Sequence, residues 1–348
     1  MTHLDIEGNV NKPLVSIISC FYNRPKYVKC SVESLLRQTY SNIEILLVND
    51  GSTDTTLNEL MFFRDSRIRL ITHENKGFVS ALRAAIEASR GSLIAIHGSG
   101  DISLPDRIEM QANLLMKSPD VGVVGCYMRG FNVVTGKYHV KRPVIEEDQL
   151  SQLIKENIFS HGEVMFKRIF YEQVGGYRVF FEFAQDRDLW LRLAPITRFA
   201  IVPKILYERE LIEGSVTRVP SKARKQAYLS EFAVTCALIK REQGFDPLDR
   251  DGYEAFQKLA LVSLQLPLRL RSLAFRYLAS SKLDAANTLM AEAVFLDPSI
   301  HNRSALVVIV LAQRMPIIRV FLKLIIRWRS NLIWFLDAIN STKILVND

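Results

Sequence analysis

The chain has 348 residues, 48% of them apolar and 24% charged, with a net charge of +8. That length exceeds one typical domain, and the apolar content supports a real core, so two folded units are expected rather than a disordered chain. The charge is uneven: residues 1–220 sum to +1 and residues 221–348 to +7, which argues against nucleic acid as a partner of the front half and puts the basic excess in the tail. Cys20, Cys30, Cys126 and Cys236 show neither metal nor redox spacing, as in a reduced, cytoplasmic protein. The first ten residues are polar, without the apolar core of a signal peptide, and no uncharged apolar run is long enough to predict a transmembrane helix.

Residues 14–20 read as a strand, and Pro25 opens a helix with Val28, Val32, Leu35 and Leu36 at helical spacing. Residues 43–48 are continuously apolar, the mark of a strand covered on both faces. They run into Asn49-Asp50-Gly51-Ser52-Thr53-Asp54, a turn rich in helix-capping residues. A helix is expected over 55–63, a strand over 68–72, a helix over 77–89 and a buried strand over 93–96. A glycine-broken loop carrying Asp101 follows. Ser103 and Asp106 form a capping-box-like pair, Pro105 suits a first helical turn, and Ile108, Ala112 and Leu115 continue at helical spacing. This β-α-β-α-β-α-β order is that of an open α/β sheet, in which ligands bind where strands end and helices begin. There is no G-x-G-x-x-G after the first strand and no P-loop. Phosphates are therefore left to an acid-bound divalent cation or to basic side chains.

Beyond Pro119 the pattern loosens. Strands are expected over 121–127 and 130–134, with a Thr135-Gly136 turn and a further strand to Val140, then a helix over 146–157 and a strand over 164–166. Gly175-Gly176-Tyr177 precedes a helix over 186–193, and 199–207 reads as a strand. From Ser221 only helices are expected, among them 226–241 and a hairpin of 272–279 with 283–295. Pro220 and its neighbours Lys222, Arg224 and Lys225 mark the boundary between units 1–220 and 221–348.

Five segments in order resemble the family 2 glycosyltransferases of the GT-A fold. They are Val15-Ser16-Ile17-Ile18-Ser19-Cys20-Phe21-Tyr22-Asn23-Arg24, Ser34-Leu35-Leu36-Arg37-Gln38-Thr39-Tyr40 and Val48-Asn49-Asp50-Gly51-Ser52-Thr53-Asp54, then Gly100-Asp101-Ile102-Ser103-Leu104-Pro105-Asp106-Arg107, and last Gly175-Gly176-Tyr177 with Gln185-Asp186-Arg187-Asp188-Leu189-Trp190-Leu191-Arg192. The resemblance implies an α/β fold: an open mixed sheet with helices on both faces and a Rossmann-like nucleotide half, followed here by an all-α region. It implies an inverting transfer of sugar from a nucleotide-diphospho donor, usually uridine-linked, to a saccharide or lipid-linked hydroxyl in surface polysaccharide synthesis. Tyr22, Asn23 and Asp50 fall where the family holds base and ribose, Gly51 and Ser52 complete that turn, and Gly100 and Asp101 belong to the diphosphate and metal loop. Asp186 falls where the family places its general base, the carboxylate that takes the acceptor proton as the oxygen attacks the anomeric carbon.

The family's metal loop usually reads Asp-x-Asp-Asp; here it is Gly98-Ser99-Gly100-Asp101. Two solutions stay open. Asp101 alone, with donor phosphates, holds Mg²⁺ or Mn²⁺. Alternatively metal dependence is weak or absent and protein cations meet the leaving diphosphate, with Arg83, His161, Arg187 and Arg209 as candidates. Asp188 is the alternative to Asp186 as base. A different class of function is a catalytically silent GT-A domain that binds nucleotide sugars or acts as a scaffold. In the tail, Arg314, Arg319, Lys323, Arg327 and Arg329 accompany no acid over residues 304–336. Ile317, Ile318, Phe321, Leu324, Ile325 and Trp328 fall on one helical face. Residues 316–336 are therefore a candidate for peripheral contact with the inner face of a membrane, with packing on protein the alternative.

Overall fold

β1 (Val15–Phe21) and β2 (Ile43–Asp50) are buried along their whole lengths, which is why neither shows a polar alternation. They belong to a computed structural model that describes residues 12–132, 137–210, 219–322 and 324–325. The chain divides into two compact units, Met1–Glu213 and Gly214–Asp348. In the first, α1 (Pro25–Leu36) connects β1 to β2, α2 (Thr56–Met61) leads to β3 (Ile68–His73), and α3 (Phe78–Ala88) leads to β4 (Leu93–Ile96). The β1–β2, β2–β3 and β1–β4 pairs are all parallel, so the turns after β1, β2 and β4 open at one edge of the sheet.

The remaining elements make the sheet mixed. A two-residue strand β5 (Ile102–Ser103) precedes α4 (Arg107–Lys117). Then come β6 (Val121–Asn132), β7 (Lys137–Lys141), α5 (Gln149–Lys155), a 3₁₀ turn (His161–Glu163), β8 (Met165–Lys167), α6 (Arg168–Gln173), α7 (Gln185–Leu193) and β9 (Arg198–Glu210). The order is β3-β2-β1-β4-β8-β6-β9-β5, with β7 paired to residues 128–132 of β6 off this path. β8 runs antiparallel to β4 and β6, whereas β6 and β9 are parallel. One face of the sheet packs Val28, Val32 and Leu35 of α1 and Ile108, Ala112 and Leu115 of α4 against Ile17, Ile45 and Ala95. The other carries α3 against β1 and β2, burying Val79, Leu82 and Ile86.

The expected capping box is not formed. Asp106 is the N-cap residue of α4 but makes no side-chain cap, and Pro105 lies before the helix. Ser103 sits in β5, opposite Tyr207, with its hydroxyl turned to His97 and Arg107. Two residues are too few to register as a strand in sequence, so β5 was hidden behind the capping pattern.

The second unit is helical: α8 (Pro220–Gln243), α9 (Pro247–Asp251), α10 (Tyr253–Leu259), α11 (Leu266–Ala279), α12 (Leu283–Leu296) and α13 (Ile300–Arg314). Pro220 opens α8 rather than preceding it, since proline at the first helical position loses no hydrogen bond. α11 and α12 form the expected hairpin and share a core with α13, built on Leu270, Leu278, Leu289 and Ile309. Residues 316–322 are helical again. Here the single apolar face expected from periodicity is divided: Ile318 packs, with Leu322, onto this core, while Ile317, Val320, Phe321, Leu324 and Ile325 are exposed. Lys323 and residues 326–348, Arg327, Trp328 and Arg329 among them, lie outside the described residues. Among the described residues no helix is long and apolar enough to cross a membrane.

Candidate active site

The first part of the site is the turn after β1 laced to the turn after β2. Asn23 holds φ +51°, a left-handed backbone that asparagine tolerates better than most residues. In that conformation its amide N–H donates to Ser52 Oγ at 3.1 Å, and its Oδ1 accepts from the Thr53 amide at 2.9 Å. Tyr22, beside it, is exposed and free to lie along a ligand. Asp50 is buried at the end of β2. Its Oδ1 accepts from the Lys76 amide at 3.0 Å, and its backbone carbonyl accepts from Asn75 Nδ2 at 2.8 Å. Gly51 has φ +65°, and a Cβ there would collide with the Asn75 backbone, so only glycine lets the two loops meet. Tyr22, Asn23, Asp50, Gly51 and Ser52 are thus brought together.

The second part is the loop after β4. His97 is buried beneath it, with Nε2 at 2.9 Å from Ser31 Oγ and Nδ1 at 3.1 Å from Ser103 Oγ. Burial, reinforced by Arg107, pushes its pKa down to about 3, so the ring is neutral and structural. Above it, Asp101 turns inward: Tyr207 donates its phenol to Asp101 Oδ2 at 2.6 Å and accepts from the Gly98 amide at 2.9 Å. Burial raises the Asp101 pKa, opposed by the Tyr207 hydrogen bond and by Arg209, Arg107 and Arg24. A Cβ on Gly98 would strike Asp101 Oδ2, and a Cβ on Gly162 would strike the Tyr207 hydroxyl.

The 3₁₀ turn joins this loop to α7. Gly162 packs on Asp101 and Tyr207. Next to it, His161 Nδ1 faces the Gln185 amide at 3.4 Å, and its Nε2 lies 2.7 Å from the Tyr177 hydroxyl. With Nδ1 accepting, the neutral ring carries its proton on Nε2 and donates to Tyr177. Burial lowers the His161 pKa and favours that neutral form. Ala184 then takes φ +61°, strained for a residue with a Cβ, and α7 starts. Asp186 therefore stands in the first turn of α7. Asn157 Nδ2 donates to its Oδ2 at 2.8 Å, while its Oδ1 makes no hydrogen bond among the described residues. One oxygen is anchored and the other is available to take a proton.

Other candidates are occupied elsewhere. Asp188 is buried between Arg178 and Arg192, whose guanidinium donates to Oδ2 at 2.6 Å. Both of its carboxylate oxygens are thus engaged by guanidiniums. Arg187 is also buried, its Nη2 donating to the carbonyls of Leu153 at 3.0 Å and Ile154 at 2.9 Å, where it caps α5. This removes it from the leaving-group candidates. Arg83 lies 3.8 Å from Glu87 on the same helix and is partly exposed. Arg209 is half-buried, and its charge, with those of Arg107 and Arg24, opposes the rise of the Asp101 pKa. Reading the sequence missed Tyr207, Glu163 and Lys141. Tyr207 shows only as the last residue of a strand, and its role depends on a loop far away in the chain. Glu163 is fully buried, and burial pushes its pKa up to about 7.

A cation at this loop would rest on Asp101 together with donor phosphates. Asp101 offers one carboxylate, hydrogen-bonded to a phenol and biased by burial toward its neutral form. A second acid at position 98 would need Asp101 to move. Among the described residues no group of three or more His, Cys, Asp or Glu side chains is placed to bind a metal.

A mixed sheet with two laced strand-end turns at one half and a carboxylate on a helix start at the other is the arrangement of the GT-A fold. The sequence pattern of Glycosyl transferase family 2 matches residues 16–175. Residues 16–175 thus form a Glycosyl transferase family 2 segment, and the chain is a glycosyltransferase enzyme. It is 28% identical over 245 residues to an uncharacterized glycosyltransferase of Haemophilus influenzae, covering 67% of this chain and 73% of the relative. Hyaluronan synthase of Pasteurella multocida is 27% identical over 268 residues, 73% of this chain but 27% of the synthase. A UDP-Glc:alpha-D-GlcNAc-diphosphoundecaprenol beta-1,3-glucosyltransferase of Escherichia coli is 37% identical over 127 residues, 36% of this chain and 50% of the enzyme. Matches thus span half or less of these last two proteins. Among solved structures, the mannosyltransferase PcManGT of Pyrobaculum calidifontis, in complex with GDP-Man and Mn²⁺, has a TM-score of 0.52 at 19% identity, over 90% of this chain and 87% of the other. Residues 1–349 of S. aureus TarS with UDP-GlcNAc give 0.51 at 15% identity, over 86% and 91%. At such identities the likeness is one of fold.

Proposed function

We propose that this enzyme transfers a sugar, with inversion, from a uridine-diphospho donor to a hydroxyl of a saccharide or lipid-linked acceptor in surface polysaccharide synthesis. The observation that carries the reading is the bridge His161-Gly162-Glu163. It joins the Asp101–Tyr207 loop to the start of α7, where Asp186 keeps one oxygen free. The turns of Asn23 and Asp50 hold the nucleoside, with Tyr22 along the base. The acceptor hydroxyl gives its proton to Asp186 Oδ1 as its oxygen bonds to the anomeric carbon and the nucleoside diphosphate leaves from the opposite face. A single displacement of this kind inverts the configuration and needs no covalent sugar–enzyme intermediate. The uridine donor and the lipid-linked or polymeric acceptor follow the names of the Escherichia coli and Pasteurella multocida relatives.

The leaving diphosphate, on this reading, is met by Arg209. Donor turnover is then expected to persist in excess EDTA; loss on chelation and return with Mn²⁺ would make Asp101 a metal anchor instead. The basic excess and the exposed Ile317, Val320 and Phe321 support a peripheral contact with an anionic membrane surface. The test of the whole is product analysis: the full chain is offered UDP-sugars with a saccharide acceptor, and a product retaining the donor's anomeric configuration would sink the single displacement. A screen of nucleotide sugars by melting temperature would identify the donor, and no shift with any uridine compound would sink the uridine assignment.

A further inference from the structure

The register of β7, β6 and β9 sets Lys141, Met128 and Tyr207 on one rung and His139, Gly130 and Arg209 on another two residues away. Residues two apart on a strand point the same way. Lys141, His139 and Arg209 therefore share the face on which Tyr207 reaches Asp101. Gly130 makes this possible, since a Cβ there would run into the His139 ring. Lys141 and Arg209 are both half-buried, and neither side chain makes a hydrogen bond or an ion pair among the described residues. The carboxylates facing Lys141 are Glu163, Asp186 and Glu156, and burial lowers the lysine's pKa in spite of them. Glu163 accepts from the Ser160 amide at 3.1 Å and leaves its buried Oε2 without a partner. Cations withdrawn from water without partners cost free energy until a ligand supplies the missing anion.

We propose that Lys141, with His139 and Arg209 behind it, forms an acceptor subsite for an anionic group, a carboxylate or a phosphate, carried by the saccharide near its attacking hydroxyl. The proposal rests on the reading of Asp186 as the base. On that shared face Lys141 is coupled to Glu163 and Asp186, and Arg209 to Glu163 and Asp101, so Lys141 lies toward the acceptor end and Arg209 at the seam. The Lys141 ammonium brings three donors, enough to bind the oxygens of one anion while Arg209 stays with the diphosphate.

The test uses the full chain with saturating UDP, so that the donor site is filled. Glucuronic acid, glucose 6-phosphate and glucose are titrated by ligand-observed NMR. At least one anionic sugar is expected to bind about tenfold or more tightly than glucose, the effect of one charged hydrogen bond, and the stronger of the two identifies carboxylate or phosphate. Lys141→Met should abolish that preference and Lys141→Arg should keep part of it, with UDP affinity unchanged in both. Equal binding of all three sugars by the wild type, or a preference that survives Lys141→Met, would overturn the subsite. A loss of UDP affinity in Lys141→Met matching the loss for the anionic sugar would assign the lysine to the donor diphosphate and overturn the acceptor assignment. Failure of the wild type to bind UDP would instead overturn the donor reading, and this proposal with it.

Discussion

The proposed donor half and the proposed acceptor half of the site are built by different means. On the donor side the backbone does the shaping: Asn23 and Gly51 take positive φ, and Asp50 is met by the Lys76 amide. On the acceptor side the contacts are between side chains remote in sequence: Asn157 with Asp186, Tyr177 with His161, Arg178 with Asp188. A backbone-built site is specified by its own few residues. A side-chain-built site depends on partners from several elements, so two acids on one turn of helix can have opposite fates. Asp186 and Asp188 are that pair, one with a free oxygen and one enclosed by two guanidiniums.

The largest effect should separate them. Asp186→Asn keeps shape but cannot accept a proton, so transfer should fall by at least the ~10²–10⁴-fold typical of general base catalysis, with UDP affinity and melting temperature held. Single-turnover rates check this, and wild-type turnover would move the base elsewhere. Asp188→Ala should instead unfold the unit. Removing one partner of a buried ion pair costs ~3–5 kcal/mol because the others are left charged and buried. Urea unfolding reads it directly. A stable Asp188→Ala protein that had lost only turnover would reverse the two assignments and break the comparison.

The same difference governs how much could be read from sequence. The four parallel strands and the nucleotide turns were legible because each is local: apolar runs end in Asn, Asp and Gly at positions that need their conformations. Asp186 was a candidate only through its resemblance to a family motif. Locally only Arg192, four residues after Asp188, distinguishes the two, and neither Arg178 nor Asn157 lies within a helical turn of them. Tyr207 and Glu163 escaped for the same reason. Arg187, a candidate for the diphosphate by charge alone, proved to cap α5 because its carbonyl partners come from residues 153 and 154.

A donor-side substitution should have a smaller and more selective effect. Asp50→Ala removes a carboxylate that also holds the Lys76 loop through a backbone amide. UDP binding should weaken by ~1.5–3 kcal/mol, the value of a hydrogen bond to a charged group, as measured by calorimetry. Because the turn is otherwise fixed by Asn23 and Gly51, the melting temperature should change far less than in Asp188→Ala. Unchanged UDP affinity in a folded variant would remove Asp50 from the site, and a collapse of stability would mean the donor half also depends on its side-chain network.

The smallest effect concerns the pH dependence of stability and the buried carboxyl at the junction of the halves. Glu163 has its pKa pushed up to about 7 by burial, against an ordinary value of 4.5. The folded state therefore binds its proton more tightly than the unfolded state, and the stability tied to that proton is lost as pH rises from 4.5 through 7. His97 has the opposite sign. Its pKa is held down at about 3, against an ordinary 6.5, so its contribution is lost as pH falls from 6.5 toward 3. Between pH 4.5 and 6.5 the two oppose each other and flatten the profile. Glu163→Gln keeps an oxygen for the Ser160 amide but cannot ionise. The variant's stability minus that of the wild type should then rise with pH by ~1 kcal/mol per unit across this window, one proton's worth of linkage. Urea midpoints taken at several pH values from 4.5 to 7 measure it. A difference constant over that range would mean that Glu163 ionises in the folded protein as it does in water, with Lys141 or Arg209 as its counter-ion. Those cations would then be neutralised from within, and the acceptor half would have no unpaired charge to offer a ligand.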